Sequence, residues 1–102
     1  MVKPKKIILV SAKYHPVHNK LLKICEKLAE ERGLEFEFKD EDYVFLTDHG
    51  VKDDFGFAGI PQVFIEYDNG KVKPVLWEIP FDEKLKPDEN KMRELIVAGL
   101  EI

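Results

Sequence analysis

Apolar positions change their spacing several times along the chain, and each change marks an element. Lys5 and Lys6 give way to the unbroken run Ile7-Ile8-Leu9-Val10, followed by Ser11-Ala12. An aliphatic, β-branched run with no polar alternation suits a strand covered on both faces of a sheet, so residues 5–12 predict a central strand. From Pro16 the period lengthens. Val17, Leu21, Leu22, Ile24, Cys25, Leu28 and Ala29 recur at helical spacing, with lysines and glutamates between them and Gly33 as the stop. Pro16 suits a first helical turn, where its missing N–H costs nothing, and a helix over 16–32 is predicted.

Leu34-Glu35-Phe36-Glu37-Phe38-Lys39 alternates apolar and charged residues and reads as a strand with one covered face. Residues 41–50, with Tyr43-Val44-Phe45-Leu46 inside them, fit a short helix or a further strand. Gln62–Tyr67 and Lys71–Trp77 flank Asp68-Asn69-Gly70, a hairpin signal, because Asn-Gly accepts the positive φ angles of a tight turn. Pro74 places the second arm at a sheet edge, where a missing ladder donor can face solvent. After a polar loop over 78–87, Met92, Leu95, Ile96 and Leu100 predict a closing amphipathic helix over 88–100.

The expected order is therefore β-α-β-α-β-β-α, an α/β domain over residues 1–102. The helical crossover makes the first two strands parallel and the hairpin adds an antiparallel pair, giving a mixed four-stranded sheet flanked by helices. A chain of 102 residues holds one core. None of its apolar runs approaches the roughly 20 residues a membrane-spanning helix needs. The basic opening Met1–Lys6 leads into an apolar stretch without a small-residue cleavage site, which reads as a strand rather than a secretion signal, so a cytoplasmic protein is expected.

Charge is unevenly spread. Residues 1–27 carry seven lysines against one glutamate, while residues 30–54 carry ten acids against three bases. Nucleic-acid binding wants stacking aromatics within a basic patch, and Tyr14 alone lies in the basic third, so neither a nucleic-acid nor a membrane partner is expected. Abundant Lys and Glu beside a single Ser, Thr and Gln is the bias of a thermostable protein.

Two short motifs carry the candidate chemistry. Tyr14-His15-Pro16-Val17-His18 sits where the first strand gives way to the first helix, and Gly59-Ile60-Pro61-Gln62 opens the third strand. Together with the element order they resemble the thioredoxin and glutaredoxin group, in which a Cys-Pro-x-Cys tetrad at that junction faces a cis-proline. The resemblance implies a thioredoxin-like fold and a cis Ile60-Pro61 bond. It also implies a substrate or peptide groove lined by Tyr14, His15, Pro16, Val17, His18, Ile60 and Pro61.

The family's activity is thiol–disulfide exchange, yet its catalytic-cysteine positions fall on His15 and His18. Exchange needs one thiolate to attack sulfur and a second thiol to resolve the mixed disulfide, and imidazole does neither. No catalytic residue is therefore assigned. The expectation is a redox-silent binding module for a protein or peptide partner, engaged by strand addition at the proline edge.

Two alternatives stand beside it. His15 and His18, expected as a solvated pair at the helix start, could ligate Zn²⁺, Ni²⁺ or Cu²⁺ with Tyr14, water or a partner completing the shell; otherwise no cofactor is called for. The pair could also mark a disulfide oxidoreductase altered at two positions. His49, beside Asp48, is the third histidine. Cys25 shares a stripe with Leu21 and Leu28 and reads as a buried, inert thiol. Trp77, Pro80 and Phe81 fit either an exposed patch or a cap on the core. Gly56 and Gly59 are too irregularly placed for a phosphate cradle.

Overall fold

The computed structural model describes residues 2–101. Seven elements follow one another: β1 (Pro4–Ser11), α1 (His18–Arg32), β2 (Glu35–Asp40), α2 (Tyr43–His49), β3 (Gln62–Tyr67), β4 (Val72–Leu76) and α3 (Glu89–Leu100). They form an α/β domain with one four-stranded mixed sheet in the order β2-β1-β3-β4. β1 runs parallel to β2, with Ile8 opposite Glu37, and antiparallel to β3, with Val10 opposite Gln62. β4 is antiparallel to β3 and forms an edge, and its Pro74 therefore leaves no inner ladder bond unmade.

The unbroken apolar run of β1 is explained by two covered faces. Ile7 and Leu9 join Leu21, Cys25 and Leu28 of α1, Met92 and Ile96 of α3, and Val63 and Ile65 of β3 in one cluster. Ile8 and Val10 turn to the opposite face, where Leu46 of α2 and Phe64 meet them. Phe45 packs edge-on against Phe64 at 5.1 Å between ring centroids, which seats the short helix.

Local signals set the boundaries. α1 starts at His18 rather than at residue 16, because Pro16 lies in a turn closed by His15 N donating to Ala12 O (2.9 Å) and His18 N donating to His15 O (3.0 Å). Its end is the expected one, Gly33 at φ 66° donating to the Ala29 and Glu30 carbonyls. Residues 43–49 are helix, initiated by Asp42, whose side chain accepts from Phe45 N at 2.9 Å. Asp88 caps α3 in the same way through Lys91 N (3.0 Å). α3 lies very close to β4: a Cβ built on Gly99 would fall on the Val75 Cγ1 methyl.

The register brings one end of the sheet into focus. β1 and β2 finish there at Ser11 and Asp40, β3 begins there at Gln62, and β4 finishes there at Leu76. The β1–α1 turn, the β2–α2 junction, the loop before β3 and the connection after β4 all leave from this end. Among the described residues, nine large hydrophobic side chains are exposed, and all but Val2 belong to these connections or to the first turn of α2.

Candidate functional site

At that end Ser11, Ala12 and His18 are buried together. His18 Nδ1 and Ser11 Oγ lie 3.0 Å apart in a hydrogen bond whose direction depends on the imidazole tautomer. The His18 ring also packs against Phe38 of β2, centroids 5.0 Å apart. The expectation of two solvated histidines is thus corrected for His18. It opens the buried stripe of α1 that continues through Leu21, Cys25 and Leu28, so packing against β1 and β2 decides its place.

His15 is half-buried, and its Nδ1 accepts the Val17 N–H at 3.3 Å, which places the proton of a neutral ring on Nε2. Tyr14 and Pro16 are exposed, while Val17 is buried as the residue before α1. Across the sheet end, the Ile60-Pro61 bond is cis, Ile60 is half-buried and Pro61 buried. Tyr14 donates its hydroxyl to Glu41 at 3.0 Å, and that carboxylate holds the phenol above the usual tyrosine range. Glu41 in turn occupies a left-handed conformation (φ 47°) and donates its N–H to Ser11 O at 2.8 Å, tying the β2–α2 junction to the end of β1.

Cys25, the single cysteine, is fully buried in α1, and burial pushes its thiol far above the ordinary range. A thiolate is thereby disfavoured at every physiological pH. His49 packs against Phe45 in a tilted arrangement, centroids 4.6 Å apart, on α2. Among the described residues, no three or more His, Cys, Asp or Glu side chains come together in a way that could hold a metal ion. Nor is any helix among them long and apolar enough to cross a membrane.

Three features of this end escape the sequence reading. The first is Gln62, buried at the start of β3, whose side-chain oxygen accepts from Val51 N (3.0 Å) while its amide donates to Val51 O (3.1 Å) and Gly59 O (3.0 Å). One side chain thereby anchors both ends of the loop between α2 and β3. The lone glutamine of the chain, set next to the proline motif, was the available signal.

The second feature is a cavity of about 280 Å³ beside that anchor, bounded by Val51, Asp53, Phe57, Gln62, Trp77 and Glu78, with Lys52 and Gly59 completing it. Trp77 and Phe57 thus line the same cavity, and Trp77 and Phe81 are exposed while Pro80 is half-buried.

The third is a pair of matched loops. In Asp53–Phe57 the Asp53 N–H donates to Phe57 O (2.8 Å) and Gly56 N donates to Asp53 O (3.0 Å). Asp53 Oδ1 also accepts from Phe55 N (2.9 Å) and Phe57 N (3.0 Å). Asp82–Lys86 repeats every bond: Asp82 N to Lys86 O (2.8 Å), Leu85 N to Asp82 O (3.0 Å), and Lys84 N (2.8 Å) and Lys86 N (3.0 Å) to Asp82 Oδ1. The fourth residue has positive φ in both, Gly56 at 83° and Leu85 at 60°. Leucine takes that conformation at a cost glycine does not bear, and here its side chain is 82% exposed.

No family model, curated protein or solved structure matches the chain.

Proposed function

We propose that this chain is a thioredoxin-like domain of the glutaredoxin-like group in which His15 and His18 stand at the dithiol positions. In this reading it is a redox-silent module that binds an extended polypeptide segment. The observation that carries the proposal is the concentration of exposed large hydrophobics at one sheet end: Tyr14, Tyr43, Val44, Phe55, Phe57, Trp77, Phe81 and Leu85. Soluble domains rarely gather so many at one end without a partner to cover them.

The strand order β2-β1-β3-β4, the histidine tetrad between β1 and α1, and Ile60-Pro61 immediately before β3 support the family reading. The binding role is supported by the exposure at the same end: Tyr14 is exposed and His15 and Ile60 are half-buried, beside the buried Ser11, His18 and Pro61. One buried cysteine cannot supply both thiols of an intramolecular exchange cycle.

Two measurements test the proposal together. An amide-resolved NMR titration with a panel of extended peptides, apolar, acidic and basic, is expected to move resonances of Tyr14, His15, Ile60 and Trp77 while leaving the β1 start and α3 end still. Insulin reduction in dithiothreitol is expected to run no faster with the protein than without it. Disulfide turnover above that background, or a panel that moves nothing at this end, overturns the reading.

A further inference from the structure

The cavity between the α2–β3 loop and the end of β4 has a composition that selects its occupant. Its aromatic walls are Phe57 and Trp77, 72% and 47% exposed, and its carboxylates are Asp53 and Glu78, against the one ammonium of Lys52. Asp53 spends Oδ1 on the Phe55 and Phe57 amides, which leaves Oδ2 with no protein partner among the described residues. Glu78 forms neither an ion pair nor a hydrogen bond with any described residue.

The chain leading into the cavity carries the same sign: residues 48–54 hold Asp48, Asp53 and Asp54 against Lys52 alone. A cavity with aromatic faces and unpaired carboxylates at its mouth is suited to a planar cation. A guanidinium stacks on indole and phenyl rings and takes a carboxylate in bidentate fashion, which an ammonium cannot do.

We propose that this cavity receives an arginine side chain from a basic, extended polypeptide partner. This deepens the binding role given above and rests on it. Gln62 is the positioning residue: by fixing Val51 and Gly59 it sets the loop that carries Asp53 and Phe57 opposite Trp77. The acidic stretch adds a long-range attraction that raises the encounter rate with basic segments and weakens with salt.

Trp77 is the only tryptophan in the chain, so its emission reports on this cavity directly. The probes are three capped nonapeptides, identical except for a central arginine, lysine or citrulline. The arginine peptide is expected to shift Trp77 emission saturably and to bind about tenfold more tightly than the citrulline peptide, the size of one charge-assisted hydrogen bond. Glu78→Gln, a change at an exposed side chain with no internal bonds, is expected to remove most of that difference while leaving the urea midpoint in place. Equal affinity for arginine and citrulline, or for arginine and lysine, overturns the assignment. So does an unaltered preference in Glu78→Gln. If the peptides bind with NMR shifts at Tyr14, His15 and Ile60 but Trp77 emission is indifferent to the central residue, the arginine site fails and the binding module stands. If none of them binds anywhere, both fail.

Discussion

Replacing Gly99 with alanine sets two familiar effects against each other, and the closeness of α3 to β4 decides between them. Alanine gains up to about 1 kcal/mol in a helix interior, less at this last turn. Against that, the new Cβ would fall on Val75 Cγ1 and stand 3.0 Å from Val75 Cβ, where carbon atoms prefer about 3.5–4.0 Å. Valine is stiff at χ1, and no χ1 rotation moves its Cβ from 3.0 Å, so rotation relieves the contact only in part. Sliding the helix is opposed by Tyr67, whose hydroxyl donates to Gly99 O at 3.1 Å. Overpacking of this kind costs about 1–3 kcal/mol, and straining the Tyr67 bond adds up to about 1 kcal/mol, so Gly99→Ala is expected to destabilise by about 2 kcal/mol net. In a Val75→Ala background the offending Cγ1 methyl is gone and only the 3.0 Å approach to the residue-75 Cβ remains, so the same change is expected to cost clearly less, under about 1 kcal/mol. Urea unfolding of the four proteins, followed by Trp77 fluorescence and far-ultraviolet circular dichroism with a common m-value, reads the coupling energy directly. A Gly99→Ala midpoint equal to or above that of the parent, or an equal loss in both backgrounds, would show that the α3–β4 approach is not as described.

The other expectations address the site end. Leu85→Gly should raise stability by about 0.5–1 kcal/mol by relieving the left-handed leucine, and Gly56→Leu should lower it by at least as much; equal signs in urea unfolding would refute the equivalence of the two loops. Ser11→Ala leaves His18 Nδ1 buried without its partner and should cost about 1–3 kcal/mol, whereas Tyr14→Phe, at an exposed hydroxyl, should leave the midpoint nearly unchanged; a Ser11→Ala midpoint as high as that of the parent would argue against the buried pair. Glu37 is held below the usual carboxylate range by hydrogen bonds from Lys6 and then Lys39, both at 2.9 Å. A depressed folded-state pKa means its contribution is complete above pH 4.5, the ordinary value, and is lost as pH falls below it. Glu37→Gln should therefore flatten the acid limb of the stability profile and also weaken the alkaline limb, because the Glu37 hydrogen bond holds the Lys6 ammonium above its usual range and that contribution is lost as pH rises through it; an unchanged acid limb would deny the pairing any role.

Much of this architecture is legible before any coordinates, and the reasons are local. The unbroken Ile7–Val10 run could be satisfied only by two covered faces, and the turn Asp68-Asn69-Gly70 has Gly70 at φ 84°. Cys25 lay in a stripe that announced its burial. The start of α1 was less legible because proline is merely tolerated in a first turn; the bonds from His15 and His18 back to Ala12 and His15 settle the matter. The burial of His18 did leave a trace, since residues 18, 21, 25 and 28 are helically spaced, but an imidazole does not declare itself apolar. Residues 43–49 were ambiguous by period alone, and the signal that separates helix from strand was the capping Asp42. The cavity at Trp77 joins segments far apart in sequence, and no local pattern foretells it. Leu85 ran against propensity, because a leucine in glycine's place cannot be anticipated from residue preferences.

The matched loops also bear on how the protein withstands proteases. Phe55 and Leu85, 85% and 82% exposed, are side chains that a chymotrypsin-like enzyme would choose. A protease active site, however, requires its substrate drawn out straight, and each five-residue turn is cinched by four internal hydrogen bonds. Nicking must wait for a turn to spring open, so its rate follows the opening equilibrium rather than the accessibility of the side chain. These two tips can therefore display greasy residues to the surroundings and still survive there.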